Sequence, residues 1–201
     1  MLFRSEEYYE HVRNALTQAV SKRVSNTDRE IACLLSGGLD SSLITALVAK
    51  TLKDPSKLKT WSIGMKGSED LKYAKKVANY LGTDHTTIML SKKDFLDAIP
   101  TVIYTIESYD TTTVRASVGN WLISKYVRML SKGKVLFNGD GSDEITGGYM
   151  YFHMAQNALE FDDECKRLLK DICYFDVLRS DRSISSNGLE ARTPFLDKNF
   201  V

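Results

Sequence analysis

Ile31-Ala32-Cys33-Leu34-Leu35-Ser36-Gly37-Gly38-Leu39-Asp40-Ser41-Ser42 is the stretch that decides how this chain folds. Five apolar residues in a row, without alternation, describe a strand buried on both faces in a parallel sheet. Two glycines then let the backbone take positive φ and approach a ligand closely, and Ser41-Ser42 opens a helix running through Leu52. Upstream, Val12, Ala15, Leu16, Ala19 and Val20 repeat at helical spacing behind Ser5-Glu6-Glu7, predicting a helix to about Val24. Downstream, strands are predicted at Thr60 to Gly64, Thr86 to Leu90 and Val135 to Phe137, with a helix through Tyr73, Val77, Tyr80 and Leu81. Two more helices, Phe95 to Ile106 and Thr113 to Leu130, flank the polar Glu107-Ser108-Tyr109-Asp110, and helices fill most of the remainder. Strand alternating with helix predicts an α/β domain whose parallel sheet carries helices on both faces. Ligands in such sheets bind beyond the carboxyl ends of the strands, which points to the loops after Leu35 and Phe137.

The 201 residues are 43% hydrophobic and 26% charged, which suits one globular domain and excludes a disordered chain or a disulfide scaffold. Lys and Arg number 27 against 26 Asp and Glu, so no global field attracts nucleic acid or a membrane surface. Three prolines and 12 glycines without clustering give no linker. Cys33, Cys165 and Cys173 are odd in number and lack metal-ligand spacing, as expected in a reducing cytoplasm. Charges arrive too early after Met1 for a secretory leader, and no run of about 18 apolar residues occurs, so a soluble cytoplasmic protein is expected.

The first loop has the makings of an anion site, because helix-start amides and the hydroxyls of Ser36, Ser41 and Ser42 surround a close-approach backbone. A tight turn with a capping serine would use the same residues. Asp40 separates the two readings: a carboxylate beside a phosphate cradle needs a hard divalent cation between them, most simply Mg²⁺. The loop is neither a Walker A motif nor a Gly-x-Gly-x-x-Gly dinucleotide loop. The second loop, Asn138-Gly139-Asp140-Gly141-Ser142-Asp143-Glu144, sets three carboxylates among small residues, suited to a metal or a substrate ammonium. Its bland alternative is a turn with a helix cap.

Ser36-Gly37-Gly38-Leu39-Asp40-Ser41 resembles the pyrophosphate-binding loop of the ATP pyrophosphatase (PP-loop) group, whose members cleave ATP between its α- and β-phosphates and adenylate a substrate oxygen. Within that group the chain resembles the synthetase domain of the glutamine-hydrolysing asparagine synthetase family. The likeness continues in order through Ser62-Ile63-Gly64, Ala78-Asn79-Tyr80-Leu81-Gly82-Thr83, Tyr109-Asp110 to Arg115-Ala116-Ser117, Gly139 to Glu144 with Gly147-Gly148-Tyr149, and Leu189 to Asp197. It implies an adenine nucleotide alpha hydrolase-like (Rossmann-like) fold, with ATP and Mg²⁺ as cofactors and aspartate and ammonia as substrates. Leu35 and Ile63 would contact adenine through their main chains. Ser36, Gly37, Gly38 and Ser41 would cradle the pyrophosphate, Asn138 and Gly139 would line the ATP site, and Asp40 and Asp143 would hold the Mg²⁺. Thr112 and Arg115 would lie near the substrate aspartate, Glu144 would be a further active-site carboxylate, and Asp140 would take the place of a glutamate tied to adenylation.

That last place is a departure, since the family pattern has Ser-Gly-Glu-Gly where this chain has Asn138-Gly139-Asp140-Gly141. The shorter side chain sets the carboxylate back by roughly 1 to 1.5 Å, and shifts of that size cost about 10²-fold in rate. The family's glutaminase domain begins Met-Cys, against Met1-Leu2 here, and its transition-state lysine lies in a segment downstream of Val201. Residues 1–201 are therefore expected to be the ATP-pyrophosphatase domain, incomplete at the C-terminus and without a glutaminase domain. Ammonia would come from a separate glutaminase or a missing domain, and a homo-oligomer is compatible with the sequence. An amide synthetase acting on another carboxylate and an inactive nucleotide-binding remnant are the competing readings. Glu190, Arg192, Pro194 and Asp197 read as a charged turn held by an internal ion pair; Asp176 matches by resemblance an acid near the pyrophosphate in the family but reads as a solvated partner of Arg179, and His11, His85 and His153 read as without a role.

Overall fold

The computed structural model describes residues 5–201. The charged start at Met1 to Arg4, read against a leader, lies outside the described residues, as does the hydroxyl of Ser5. In chain order the elements are α1 (Ser5–Ser25), β1 (Ile31–Leu34), α2 (Leu39–Thr51), β2 (Lys59–Gly64), α3 (Glu69–Leu81), β3 (Asp84–Met89), α4 (Lys92–Ile106), α5 (Thr111–Leu130), β4 (Val135–Phe137), α6 (Ser142–Thr146), α7 (Ala158–Asp171), α8 (Asp176–Ser185) and β5 (Glu190–Arg192). The strands pair in parallel in the order β3-β2-β1-β4-β5. The chain thus steps outward from β1 to β3, then crosses back and lays β4 on the other side of β1. A crevice opens where the order reverses, between the loops that follow β1 and β4.

Helices cover both faces, as the alternation of elements requires. Cys33, Val135 and Phe137 pack with Leu16 and Val20 of α1 and with Ile44 and Val48 of α2. Their strand neighbours Ala32, Trp61 and Leu136 point the other way, against Ile123 and Val127 of α5 and Ile184 of α8. This double burial is the reason the central strands read as unbroken apolar runs. Phe137 is fully buried, a contribution of roughly 2 to 3 kcal/mol in apolar transfer.

Three expectations need correction. The second helix begins at Leu39 rather than at Ser41, with Gly38 as its N-cap, so Asp40 sits in the first helical turn. The segment read as a charged turn contains a fifth strand: Glu190 pairs with Val135 and Arg192 with Phe137. Three residues with charged ends are too short for a period to show, and charge suits an edge strand. His85 has a structural role, because Thr60 lies 2.9 Å from its Nδ1 and Ser62 lies 3.1 Å from its Nε2, tying β2 to β3. Burial, with Lys75 nearby, holds its pKa below the usual histidine value. Among the described residues no helix is long and apolar enough to cross a membrane.

The internal ion pair expected beyond β5 is present. Buried Asp197 accepts from Arg23 and, at 3.3 Å, from Lys22 of α1, while Arg192 Nε reaches Glu190 at 2.8 Å. The Asn199 N–H and the Arg23 guanidinium lower the Asp197 pKa from 3.8 to about 2. A depressed carboxylate contributes stability above its unfolded value, and that contribution is lost as pH falls through the window from about 4 to 2. Asp197→Asn is accordingly expected to cost about 1 to 2 kcal/mol at neutral pH and to flatten the dependence of Tm on pH between 4 and 2. Thermal melts of both proteins across that range check this, and parallel slopes would reject it.

Candidate active site

The loop after β1 is shaped by one glycine above all. Gly37 has φ of +87°, and a Cβ there would lie 2.4 Å from the Ala74 nitrogen and 2.6 Å from the Tyr73 Cβ, so the loop is tucked against α3. Ser36 Oγ accepts from the Gly38 N–H at 3.2 Å and lies 2.9 Å from Ser41 Oγ, which in turn accepts from the Ser36 N–H at 3.2 Å. The serines therefore brace the loop itself. No side chain caps the start of α2, so its first-turn amides are left to an anion, with roughly half a positive charge behind them.

The loop after β4 is pressed onto this helix start. A Cβ on Gly139 would come within 3.0 Å of Asp40 Cβ and the Ser41 nitrogen, and Ser142 Oγ donates to Asp40 Oδ1 at 2.8 Å. Asn138 Nδ2 donates to Asp140 Oδ2 at 2.7 Å and to Ser180 Oγ of α8 at 2.8 Å, which fixes the loop to that helix. Tyr149 donates to Glu144, and its hydroxyl lies 3.4 Å from Asp176 Oδ2. Asp176 is buried and pairs with Arg179 at 2.6 Å. The expectation that Asp176 is a solvated pair is overturned, because α8 turns both groups inward.

Asp40, Asp140, Asp143, Glu144 and Asp176 line one chamber of about 330 Å³; among the described residues Arg179 is the one cation on its walls, and Ser36, Gly38, Ser41, Asn138 and Gly139 are among the other residues that line it. Burial, and then the neighbouring acids, disfavour charge on these carboxyl groups. Burial raises the pKa of Asp140, Asp143 and Glu144 above the usual carboxylate range; Asp40 and Asp176 push Asp143 further, and the Tyr149 hydroxyl partly offsets the effect on Glu144. Glu144 Oε2 is buried without a hydrogen-bond partner. Among the described residues no three acidic, His or Cys side chains close on one point as a ready-made metal cage. Such a chamber calls for positive charge that a ligand brings with it.

A narrower slot of about 130 Å³ adjoins the chamber, lined by Leu35, Trp61, Ser62, Ile63, Leu71 and Ile123 among others. Leu34, Ser36 and Asn120 belong to both spaces. The Trp61 indole N–H is buried and unpartnered. Of the residues proposed from sequence, Ser36, Gly38, Asp40, Ser41, Asn138, Gly139, Asp140, Asp143 and Glu144 share the chamber, Leu35 and Ile63 the slot, and Gly37 supports the loop from beneath. Thr112 and Arg115 lie elsewhere, exposed on the first turns of α5; Arg115 lines a separate apolar groove with Phe95, Ile99 and Val114. Asn120, Tyr149, Arg179 and Ser180 were missed. Spacing did signal two of them, since Asp176, Arg179 and Ser180 stand at i, i+3 and i+4 on one helical face.

Comparison with known proteins decides the family: the asparagine synthase family model matches residues 11–163 and 153–201. The chain belongs to the asparagine synthase family. It is 48% identical over 201 residues to the asparagine synthetase [glutamine-hydrolyzing] of Rattus norvegicus and 47% identical to that of Homo sapiens; each match covers 98% of this chain. The chain spans 36% of the length of these relatives. Among solved structures it is similar to an NH3-dependent NAD synthetase from Campylobacter jejuni, at 19% identity and a TM-score of 0.46 over 80% of this chain and 73% of that one. It is similar also to an NMN synthetase from Francisella tularensis, at 15% identity and a TM-score of 0.47 over 95% and 90% of the two chains. Family membership accounts for the in-order motifs from Ser36 to Asp197.

Proposed function

We propose that this chain is the ATP-dependent synthetase part of an asparagine synthetase, a ligase that joins ammonia to the side-chain carboxylate of aspartate. The observation that carries the reading is the pair of cavities at the reversal of strand order, a largely apolar slot beside an acidic chamber, with Leu34, Ser36 and Asn120 in the walls of both and an uncapped helix start above them. A nucleotide fits it with the base in the slot against the main chains of Leu35 and Ile63 and the phosphates at the Ser36 to Ser41 loop. Aspartate's carboxylate oxygen attacks the α-phosphorus, the bond to the bridging oxygen breaks, and pyrophosphate leaves, giving β-aspartyl-AMP. Ammonia, free or released from glutamine by another protein or segment, then attacks the acyl carbon and AMP departs.

The protein's part in the first step is position and charge rather than a nucleophile. The α2 amides hold the leaving pyrophosphate. Asp40 and Asp143 fit as holders of Mg²⁺, which takes one or two carboxylates and completes its shell with phosphate oxygens; when bound it neutralises the leaving charge. Asp140, held by Asn138, faces the reacting centre, and Glu144 completes the acidic wall. The resemblance alone assigns Thr112 and Arg115 to the aspartate carboxylates, a bidentate task suited to a guanidinium; both stand outside the chamber, exposed on the first turns of α5. Arg115→Ala should therefore raise the KM for aspartate by about tenfold and leave ATP binding unchanged, in titrations of each substrate; equal KM values would remove Arg115 from the site.

The deciding experiment is aspartate-dependent exchange of labelled pyrophosphate into ATP with Mg²⁺. Exchange that needs a different acid would change the substrate, and ATP binding without exchange would leave only a nucleotide-binding protein. Asp140→Glu is expected to raise the exchange rate by about tenfold, within the 10²-fold that an ångström of displacement costs. A rate unchanged or lowered would separate Asp140 from adenylation.

A further inference from the structure

Asn120 stands in the wall that the slot and the acidic chamber share. It lies on α5, half-buried, and lines both the slot and the acidic chamber. Of the other residues common to both, Leu34 has no polar side chain, and Ser36 Oγ is already engaged by the Gly38 N–H and Ser41. The Asn120 amide makes no hydrogen bond to any other described residue. Its one carbonyl and one NH₂ group are the complement of two neighbouring hydroxyls, each of which donates and accepts.

A nucleotide with its base in the slot and its phosphates in the chamber must set its sugar at this seam. We infer that Asn120 reads the sugar, bonding the 2′- and 3′-hydroxyls of ribose and so favouring ribonucleotides over 2′-deoxyribonucleotides. This rests on the nucleotide reading above and adds to it a residue that selects between sugars. Position explains the choice of side chain: an apolar residue here would line the seam without satisfying either hydroxyl.

The test is binding of ATP and dATP to the 201-residue protein by calorimetric titration, with no catalysis required. The unsubstituted protein should hold ATP about tenfold more tightly than dATP, the range of one or two neutral hydrogen bonds at a half-open site. Asn120→Ala should bring the ratio near one by weakening ATP, which loses both hydroxyl contacts, about tenfold more than dATP, which loses only the one to its 3′-hydroxyl. Asn120→Gln, which keeps the amide, should retain part of the preference, and Asn120→Ser replaces the alanine variant if that one does not fold. Tight ATP binding with no penalty for dATP, or an undiminished ratio in Asn120→Ala, overturns the assignment of Asn120 alone. Failure to bind either nucleotide overturns this inference together with the nucleotide reading.

Discussion

Asp40→Asn is expected to lower aspartate-dependent pyrophosphate exchange by 10²- to 10³-fold while leaving the fold intact. The side chain leaves the first turn of α2 into the chamber, where the bound phosphates would be most negative. Asparagine has the same shape, and its carbonyl oxygen can still accept the Ser142 hydroxyl that now lies 2.8 Å from Asp40 Oδ1. What disappears is the charge. Without it one of the two proposed Mg²⁺ holders is gone, and the leaving pyrophosphate faces Asp143, Glu144 and Asp176 with less compensation. A melting temperature within a few degrees of the unsubstituted protein, together with collapsed exchange, is the expected pair of results. A loss smaller than tenfold would move the metal away from Asp40.

The largest effect on stability belongs to Gly37→Ala. Positive φ costs a residue with a Cβ roughly 1 to 2 kcal/mol, and overlap with α3 adds about as much again or more, since the nearest atom is backbone and cannot swing aside. The sum is about 3 to 5 kcal/mol, enough to unfold a marginal domain. Two companions divide that cost in denaturant titrations. Gly67→Ala carries the same positive φ into open space and should lose only the conformational part, about 1 to 2 kcal/mol. Gly38→Ala, with φ of −70° and its nearest neighbour the Ser36 hydroxyl at 3.4 Å, should cost less than about 1 kcal/mol. If all three behave alike, the packing of this loop on α3 is not what requires glycine at position 37.

Much of this molecule was readable in advance because its core strands are buried on both sides. Ile31 to Leu35 and Val135 to Phe137 announce themselves as unbroken apolar runs, and each leads into a loop rich in small and acidic residues. β5 escaped because Glu190-Ala191-Arg192 is short, lies at the edge and carries charge at both ends. Asp176 was misjudged for a different reason. A carboxylate three residues before an arginine reads as a surface pair, and only the packing of α8 against α5 and the β4 loop buries it. Asn120 left no trace in the sequence, since one polar residue in an amphipathic helix says nothing about which cavity it meets.

The return of the chain from β3 to β4 also fixes when the site can exist. Asp40 and Ser142 are hydrogen-bonded across 102 positions, and closing a loop of that length costs about 4 kcal/mol before any contact offsets it. A chain leaving the ribosome can complete β1 through β3, with α2 and the glycine loop, from near neighbours in sequence, but it has no acidic wall until β4 slots in beside β1. The last supports, Asp176 and Ser180, emerge later still. Along the chain the anion cradle comes first, the carboxylates of the β4 loop second, and the α8 supports and the edge strand β5 that pairs with β4 last.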